Sequence, residues 1–307
     1  MNIPEIDFPN LDSDFIKNPY PHLKELRESS PLHRDTNSNL ILVTRFEGVK
    51  GIQTSKAFSS SQPNDVHRDN KTDSDSYPYF WQTEEFSLLN LEGQLHGELR
   101  GLVAKAFSTR QVQELRPFME AKSNELLNAL KGGSFDLLAD YAQPYSVSVI
   151  GKLLGVPEEQ YDNFLDWSNK IVKMYDLEVS EKSAEEAETA AKDFYYYINE
   201  LIDEKVKNPD DDMISRLSQV TENDQKLTKD QIICTVILLL NAGHEATVNT
   251  IGNSIVALRQ NDIETQGLDE KYEIKKIIEE LIRWDSPLQF FQRWVLEDTN
   301  LDGYELK

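Results

Sequence analysis

The chain has 307 residues, of which 39% are hydrophobic and 28% charged, enough to build one large domain or two ordinary ones. Its formal net charge of −22 argues against nucleic acid and anionic membrane surfaces as partners. The single cysteine, Cys234, excludes an internal disulfide, and its apolar neighbours predict a buried, unreactive thiol. The first residues contain no apolar signal or anchor stretch, so we expect a cytoplasmic protein.

The N-terminal part of the sequence predicts short helices around a hairpin. After a polar arm at residues 1–19, we expect a short helix at residues 21–30. The runs LHR and NLILVTR alternate apolar and polar residues on either side of the polar turn DTNSN, a pattern typical of a β-hairpin. A second short helix is expected at residues 47–54.

Residues 59–85 are predicted to form a long irregular loop, because they are rich in Asp, Asn and Ser. The aromatic cluster YPYFW interrupts this loop at residues 77–81. A long loop inside a compact domain is usually either functional or disordered. We favour a loop that covers a ligand.

The segment LEGQLHGELRGLVAKAFSTRQV predicts a helix on which His96 and Arg100 lie four residues apart. Both side chains then point the same way and form a paired donor site suited to carboxylate or phosphate. Taken alone, such a pair is more often part of a solvated helix face. Further helices are expected at residues 110–130, 135–141, 145–154, 158–174, 180–207 and 210–220.

The stretch from Leu227 to Gln260 is the one long segment that is apolar on every side, and it predicts a central helix. Thr228 and Gln231 have the spacing of a capping box, so we expect the helix to begin there. No charged residue occurs from Ile232 to Leu240, which indicates a buried helix. This apolar run is too short to span a bilayer, which takes roughly 20 residues.

The apolar run is interrupted by the sequence NAGHEAT at residues 241–247. Ala242 and Gly243 are small, so another group can approach the backbone closely, and a glycine within a helix costs about 1 kcal/mol relative to alanine. We predict a shallow groove for a flat ligand, formed by small and hydroxylic residues on one face: Gly243, Ala246 or Thr247, and Thr250. The alternative is a kinked core helix whose glycine only admits a crossing neighbour.

The C-terminal part predicts a helix at residues 268–284 with Glu280 and Arg283 three residues apart on one face. Most such pairs are surface ion pairs of small energetic value. After the dipeptide SP, the sequence FFQRWVLEDTNLDGYELK predicts a strand, a turn at DG and the start of another strand. Because the sequence ends within this predicted hairpin, we expect the natural protein to continue past Lys307.

Together these motifs resemble bacterial cytochromes P-450. The motifs are an H-x-x-x-R helix followed by KAFS, AGHEAT in a buried central helix, an E-x-x-R helix, and an R-W-V strand after Ser-Pro. The resemblance covers almost all of the chain, and the combination is more specific than any single motif. It implies a mainly α fold with a small β-sheet region, a truncated cytochrome P-450 fold, as a single domain over residues 1–307.

The resemblance also implies an activity, that of a haem-thiolate monooxygenase with haem b (heme, iron protoporphyrin IX) as cofactor. Such an enzyme splits dioxygen with two electrons from a redox partner. One oxygen atom enters an organic substrate and the other leaves as water.

Site residues are implied by the same resemblance. The face of Ala242 and Gly243 would lie over the haem and form the oxygen groove. His96 and Arg100 would bind haem propionates, and Arg293 would bind a propionate from the strand side. The physical reason is charge-assisted pairing with buried carboxylates.

Three further roles concern protons and structural support. Glu245 would relay protons toward bound oxygen, which fits a carboxylate whose pKa is raised by desolvation. Glu280 and Arg283 would be a structural ion pair behind the haem-binding region. The family usually has threonine at the position of Ala246, so proton delivery is expected through Thr247, an ordered water or a hydroxyl of the substrate.

Two other departures from the family pattern are visible. Residues 91–93, LEG, replace the more usual Asp-Pro-Pro ahead of His96, and the glycine-rich loop with the iron-ligating cysteine is absent. Cys234 cannot replace that cysteine, because it lies about three turns before Thr247 on the distal helix while the thiolate must come from the opposite haem face. We therefore expect no metal ligand in this chain, the axial cysteine beyond Lys307, and an inactive fragment.

Three functions stay open. The first is a monooxygenase that takes electrons from a ferredoxin or flavodoxin-type donor and acts on an apolar small molecule and dioxygen. The second is a peroxide-driven oxygenase, favoured by Ala246 and opposed by Glu245. The third is a non-catalytic helical binding protein, if the chain truly ends at Lys307. An acidic donor would need a local basic patch, for which Lys105 and Arg110 are candidates.

Overall fold

The computed structural model describes residues 2–9, 12–61, 74–107, 109–130, 132–176, 179–222, 225–268 and 272–307. These residues are mainly helical with four small sheets, which confirms the predicted fold class. They divide into two units, residues 1–66 with 292–307 and residues 67–291. The single domain expected over residues 1–307 stays a prediction.

The helices, in chain order, are α1 (Ser13–Lys17), α2 (Tyr20–Ser29), α3 (Phe46–Thr54), α4 (Pro78–Glu84), α5 (Gly93–Ala106), α6 (Thr109–Glu114), α7 (Arg116–Ala129), α8 (Gln143–Leu154), α9 (Tyr161–Ile171), α10 (Glu181–Lys207), α11 (Met213–Gln219), α12 (Lys229–Gln260) and α13 (Ile274–Trp284). A π-helical turn at Leu138–Ala142 leads into α8, and 3-10 turns at Glu158–Gln160 and Val172–Tyr175 flank α9. The strands are β1 (Glu5–Ile6), β2 (Leu32–Asp35), β3 (Ile41–Val43), β4 (Phe58–Ser59), β5 (Thr221–Glu222), β6 (Gln225–Lys226), β7 (Trp294–Val295), β8 (Thr299–Leu301) and β9 (Tyr304–Leu306).

The first unit is built on the predicted hairpin. Strands β2 and β3 pair antiparallel, with Leu32 opposite Val43, and β1 joins β2 in parallel. Residues 1–19, which the sequence predicts to be a polar arm, therefore contain strand β1 and helix α1. Leu32, Tyr304 and Leu306 form the small core of this unit.

The C-terminal strands differ from the predicted arrangement. Strand β7 pairs with β4, whereas β8 and β9 pair with each other around a turn at Asp302 and Gly303. Both turn residues have positive φ, 51° and 87°, a backbone conformation that glycine adopts without strain. The pairing of β8 with β9 extends to Thr299 and Leu306, one residue before the last given residue, and the continuation of the natural protein past Lys307 stays a prediction.

Helix α12 is the central helix of the second unit, as predicted. The capping box is present. The backbone amide of Gln231 donates to Thr228 Oγ1 at 3.2 Å, and the backbone amide of Thr228 donates to Gln231 Oε1 at 2.9 Å. Residues 232–237 are all buried. By length and composition α12 is apolar enough to cross a membrane, but 56% of its most apolar window is buried, as expected for a core helix.

The aromatic cluster is helical, which corrects the prediction of an irregular loop at its position. Residues 78–84 form α4, with Phe80 buried, while residues 62–73 of the predicted loop lie outside the described residues. Two other helix boundaries differ from the predicted ones. The helix expected from residue 91 ends at Ala106 before α6 begins. In the helix expected at residues 268–284, Leu268 is helical, residues 269–271 lie outside the described part, and α13 begins at Ile274 after two non-helical residues.

Candidate functional site

Helix α12 has a buried side and an accessible side in the middle of its length. His244, 2% exposed, and Val248, 5% exposed, face the core. Ala242 and Thr247 are exposed and Ala246 is half-buried. The small alanine side chains and the hydroxyl on this accessible side leave room for a flat ligand against the backbone.

Gly243 borders a second helix. A Cβ atom at this position would lie 3.0 Å from Ile150 Cδ1 of α8, so the missing side chain allows α8 and α12 to cross closely. Helix α12 is continuous from Lys229 to Gln260, so the sequence NAGHEAT does not interrupt it. Of the predicted groove residues, Gly243 therefore admits a crossing neighbour, while Ala242, Ala246 and Thr247 lie on the accessible side.

The hydroxyl groups around this crossing donate to helix carbonyls. Thr247 Oγ1 donates to the Gly243 carbonyl at 2.8 Å and Thr250 Oγ1 donates to the Ala246 carbonyl at 2.7 Å. From α8, Ser146 Oγ donates to the His244 carbonyl at 3.1 Å. The Thr247 hydroxyl thus keeps a free lone pair as acceptor but must rotate before it donates a proton elsewhere.

Glu245 lies on the accessible side with a perturbed carboxyl group. Desolvation by surrounding atoms raises the pKa of Glu245, and the negative charge of Asp176 raises it further. This direction matches the raised pKa expected from the sequence. The group therefore holds a proton at a higher pH than an ordinary glutamate, as a proton donor requires.

The imidazole of His244 is turned away from this surface. Burial lowers the pKa of His244, and neither ring nitrogen has a hydrogen-bond partner among the residues that the structure describes. A neutral, core-facing imidazole is separate from the accessible face, although His244 and Glu245 are adjacent in sequence.

His96 and Arg100 lie on one face of α5, half-buried and exposed respectively. Neither side chain makes an ion pair or a hydrogen bond to another residue that the structure describes. In a chain with 54 acidic residues, two adjacent cationic or donor groups without an internal carboxylate form a donor set for the carboxylates of a ligand. They fit the propionates of the predicted haem.

Arg293 lies in the first unit, next to strand β7. It is half-buried, and its Nη1 donates to the backbone carbonyl of Gln292 at 2.8 Å. Whether Arg293 shares one site with His96 and Arg100 stays a prediction.

Glu280 and Arg283 on α13 form a bidentate ion pair. Arg283 Nε and Nη2 each donate to a separate carboxylate oxygen of Glu280 at 2.6 Å. The Arg283 hydrogen bonds lower the pKa of Glu280. The pair is therefore formed, and its proposed support of a haem-binding region stays a prediction.

The remaining candidates add no competing site. Among the described residues, no group of three or more His, Cys, Asp or Glu side chains is placed to hold a metal ion. Cys234 is buried, and burial raises its thiol pKa to about 12, which confirms the predicted inert thiol. Two surface hollows of about 330 and 260 Å³ lie between α9 and α10 and beside the start of α12, away from Ala242.

Comparison with known proteins identifies the family of this chain. The sequence model of the family named Cytochrome P450 matches residues 49–266. Cytochrome P450 CYP107DY1 of Priestia megaterium is 32% identical, over 85% of this chain and 63% of its own length. Mycinamicin IV hydroxylase/epoxidase of Micromonospora griseorubida is also 32% identical, over 92% of this chain and 70% of its own length.

The crystal structure of P450BioI in complex with acyl carrier protein ligated to hexadec-9Z-enoic acid is similar throughout. It superimposes with a TM-score of 0.87 at 29% identity, covering 96% of this chain and 75% of that one. The chain belongs to the cytochrome P450 family, whose cofactor is haem. It spans between 63% and 75% of the length of these three proteins.

Proposed function

We propose that the full-length protein is a haem-thiolate monooxygenase that inserts one atom of dioxygen into an apolar small organic substrate. The observation that carries this proposal is the accessible surface of Ala242, Ala246 and Thr247 on a helix whose opposite side faces the core, next to a carboxyl group with a raised pKa. Haem b, when bound, supplies the iron at which dioxygen is activated. The fold and family membership support this assignment.

Three separate roles would fall to residues of this chain: binding of propionate groups, holding of a proton and orientation of a water molecule. His96 and Arg100 would bind propionate groups from α5, with Arg293 as a third donor. Glu245 would hold a proton close to the accessible face of α12. Thr247, whose hydroxyl oxygen accepts while its proton is held by the Gly243 carbonyl, would orient a water molecule there.

Titration of the full-length apoprotein with haem tests the cofactor assignment. We expect His96→Ala, Arg100→Ala and Arg293→Ala each to raise the haem dissociation constant roughly 10- to 100-fold, the range for loss of a charge-assisted hydrogen bond. Arg116→Ala is the matched control, since Arg116 is an exposed arginine paired with Glu120. Unchanged affinity in the first three variants would show that the propionate assignment is wrong, and absence of haem binding would favour a non-catalytic helical protein.

A peroxide-driven oxygenase is the second candidate, because Ala246 offers no hydroxyl and the Thr247 hydroxyl donates to its own helix. Activation of dioxygen needs delivered protons, whereas hydrogen peroxide already carries them. The ratio of peroxide-supported to electron-supported turnover separates the two. We expect electron-supported turnover to dominate because, in this proposal, Glu245 supplies protons.

The electron donor and the substrate class are further parts of this proposal. We propose a ferredoxin or flavodoxin-type donor, cytoplasmic like the protein itself, that docks through a basic patch including Lys105 and Arg110. Electron transfer should then slow as salt screens the contact, and a rate independent of salt would contradict it. The complex of P450BioI with an acylated carrier protein and the mycinamicin hydroxylase both support an apolar substrate with a long or large carbon skeleton.

A further inference from the structure

Helix α4 begins without a cap from its own sequence. Tyr77 precedes the helix and makes no side-chain capping bond, and Pro78 follows at the first position. The next two backbone amides would be unsatisfied donors in an isolated helix. Instead, Glu188 of α10 accepts both: Tyr79 N donates to Oε1 at 2.9 Å and Phe80 N donates to Oε2 at 2.8 Å.

Glu188 belongs to a stripe of α10 that follows α4. Lys192 and Tyr196 come four and eight residues later, on the same helical face. Lys192 Nζ lies 5.4 Å from the centroid of the Tyr79 ring, and the hydroxyls of Tyr79 and Tyr196 are hydrogen-bonded at 3.2 Å. A carboxylate, a cation and a phenol of one helix thus hold the first turn of α4.

The other end of α4 is held by a second carboxylate. Glu84, 7% exposed, accepts from Tyr175 Oη at 2.7 Å and from Asn90 Nδ2 at 2.6 Å. Burial and the Glu84 charge raise the pKa of Tyr175 well above its ordinary value, so this phenol stays a donor. In addition, Cys234 Sγ of α12 donates to the Gln82 carbonyl at 3.3 Å.

We infer that Glu188 is a positioning residue for substrate selection, because it supplies the cap of α4 from α10 and so fixes the aromatic residues of α4. The bond to Cys234 attaches α4 to α12 about 12 Å before Ala242, at the usual rise of a helix. The other end of α4 is linked to the accessible face, because Glu84 accepts from Tyr175 and the charge of the adjacent Asp176 acts on Glu245. A displacement of α4 would therefore change the room beside that face. The part of this inference that concerns substrate rests on the proposed function; the capping role does not.

Hydrogen exchange of individual backbone amides tests the capping role without any cofactor. We expect Glu188→Ala to speed exchange of the Tyr79 and Phe80 amides at least tenfold, while amides in the middle of α12 keep their rates. Glu188→Gln should restore part of the protection, since its one carbonyl oxygen accepts one of the two bonds. Glu185→Ala is the matched control, an exposed glutamate one turn earlier on α10. Equal exchange in wild type and Glu188→Ala overturns the inference.

Binding to the haem-loaded full-length protein tests the selection role. Dodecanoic acid is the slender probe and testosterone the bulky one, and the readout is the ratio of their dissociation constants. We expect Glu188→Ala to change this ratio several-fold, Glu188→Gln to change it less and Glu185→Ala to leave it unchanged. A ratio that stays constant while exchange increases overturns the role in selection. If the wild type binds neither probe, the proposed substrate class and the selection role of Glu188 are both overturned, and only the capping role, which exchange tests, stands.

Discussion

Glu245 on the central helix has a carboxyl group with a raised pKa. Desolvation and the nearby charge of Asp176 raise its pKa, so a larger fraction stays protonated near neutral pH than for an ordinary glutamate. The adjacent His244 behaves differently, because it faces the core and burial lowers its pKa. A proton source at the accessible face distinguishes a dioxygen-dependent enzyme from a peroxide-dependent one.

The residue-scale prediction for Glu245 is a loss of dioxygen-supported turnover. Glu245→Gln replaces the acidic carboxyl group by an amide that cannot act as an acid, and we expect the rate to fall about 100-fold or more, since a positioned acid contributes roughly 10²- to 10⁴-fold. Peroxide-supported turnover should change much less. Glu200→Gln, at an exposed glutamate of α10, is the control. An equal fall with both oxidants would mean that Glu245 supports structure.

A second prediction concerns His244 and acid stability. Burial lowers its pKa below the ordinary 6.5, so the folded state binds this proton less readily than the unfolded chain. His244 therefore contributes stability above pH 6.5 that is lost as pH falls toward the folded-state pKa. Buried His33 acts in the same direction, because desolvation lowers its pKa too.

The measurement is the urea midpoint between about pH 7 and pH 5, a window that brackets the ordinary histidine pKa. His244→Phe keeps an aromatic ring but cannot titrate, so its midpoint should fall less than that of the wild type. His33→Phe gives the matched comparison for the second histidine. Parallel curves for His244→Phe and wild type would show that His244 does not titrate in this range.

At the scale of elements, two glycines set two different helix crossings. A Cβ at Gly243 would lie 3.0 Å from the flexible end of Ile150, whereas a Cβ at Gly151 would lie 2.3 Å from the ring of Tyr161. The aliphatic end can move by a few tenths of an ångström, but the ring of Tyr161 is buried and fixed. The crossing of α8 with α9 is therefore less tolerant than that of α8 with α12.

These crossings predict stability changes of different size when each glycine is replaced by alanine. Gly151→Ala should destabilise the protein by about 1–3 kcal/mol through overpacking. Gly243→Ala should stay within about 1 kcal/mol of wild type, because the higher helix propensity of alanine offsets the contact. Adding Ile150→Val, which removes the contacting methyl, should make the Gly243 change stabilising. Urea unfolding measures all three, and a larger loss at Gly243 than at Gly151 would contradict the packing.

The elements themselves were predictable where local chemistry determines them. The capping box of Thr228 and Gln231 and the alternating strands β2 and β3 formed as their patterns require. Helix α4 was missed because its cap lies on α10, more than a hundred residues away. No local signal in the sequence links Glu188 to that cap.

At the scale of the whole molecule, the net charge of −22 is the dominant electrostatic feature. Like charges repel in the compact state, and dissolved salt screens this repulsion. We expect the thermal midpoint to rise between about 10 and 150 mM NaCl, over which the screening length shortens to about 8 Å. An uncharged osmolyte at equal osmolality is the control. A midpoint that falls with salt would show that attractive ion pairs outweigh the repulsion.

The sequence by itself determined the family, the central helix and the positions of the candidate site residues, since these depend on residue type, spacing and apolar periodicity. Only the tertiary structure decided which side of α12 is accessible, because helical spacing alone does not say where a neighbour packs. It also placed Ile150 beside Gly243 and Asp176 near Glu245. Glu188 became a cap for α4 in the same way, because such contacts join residues that folding, and not sequence, brings together.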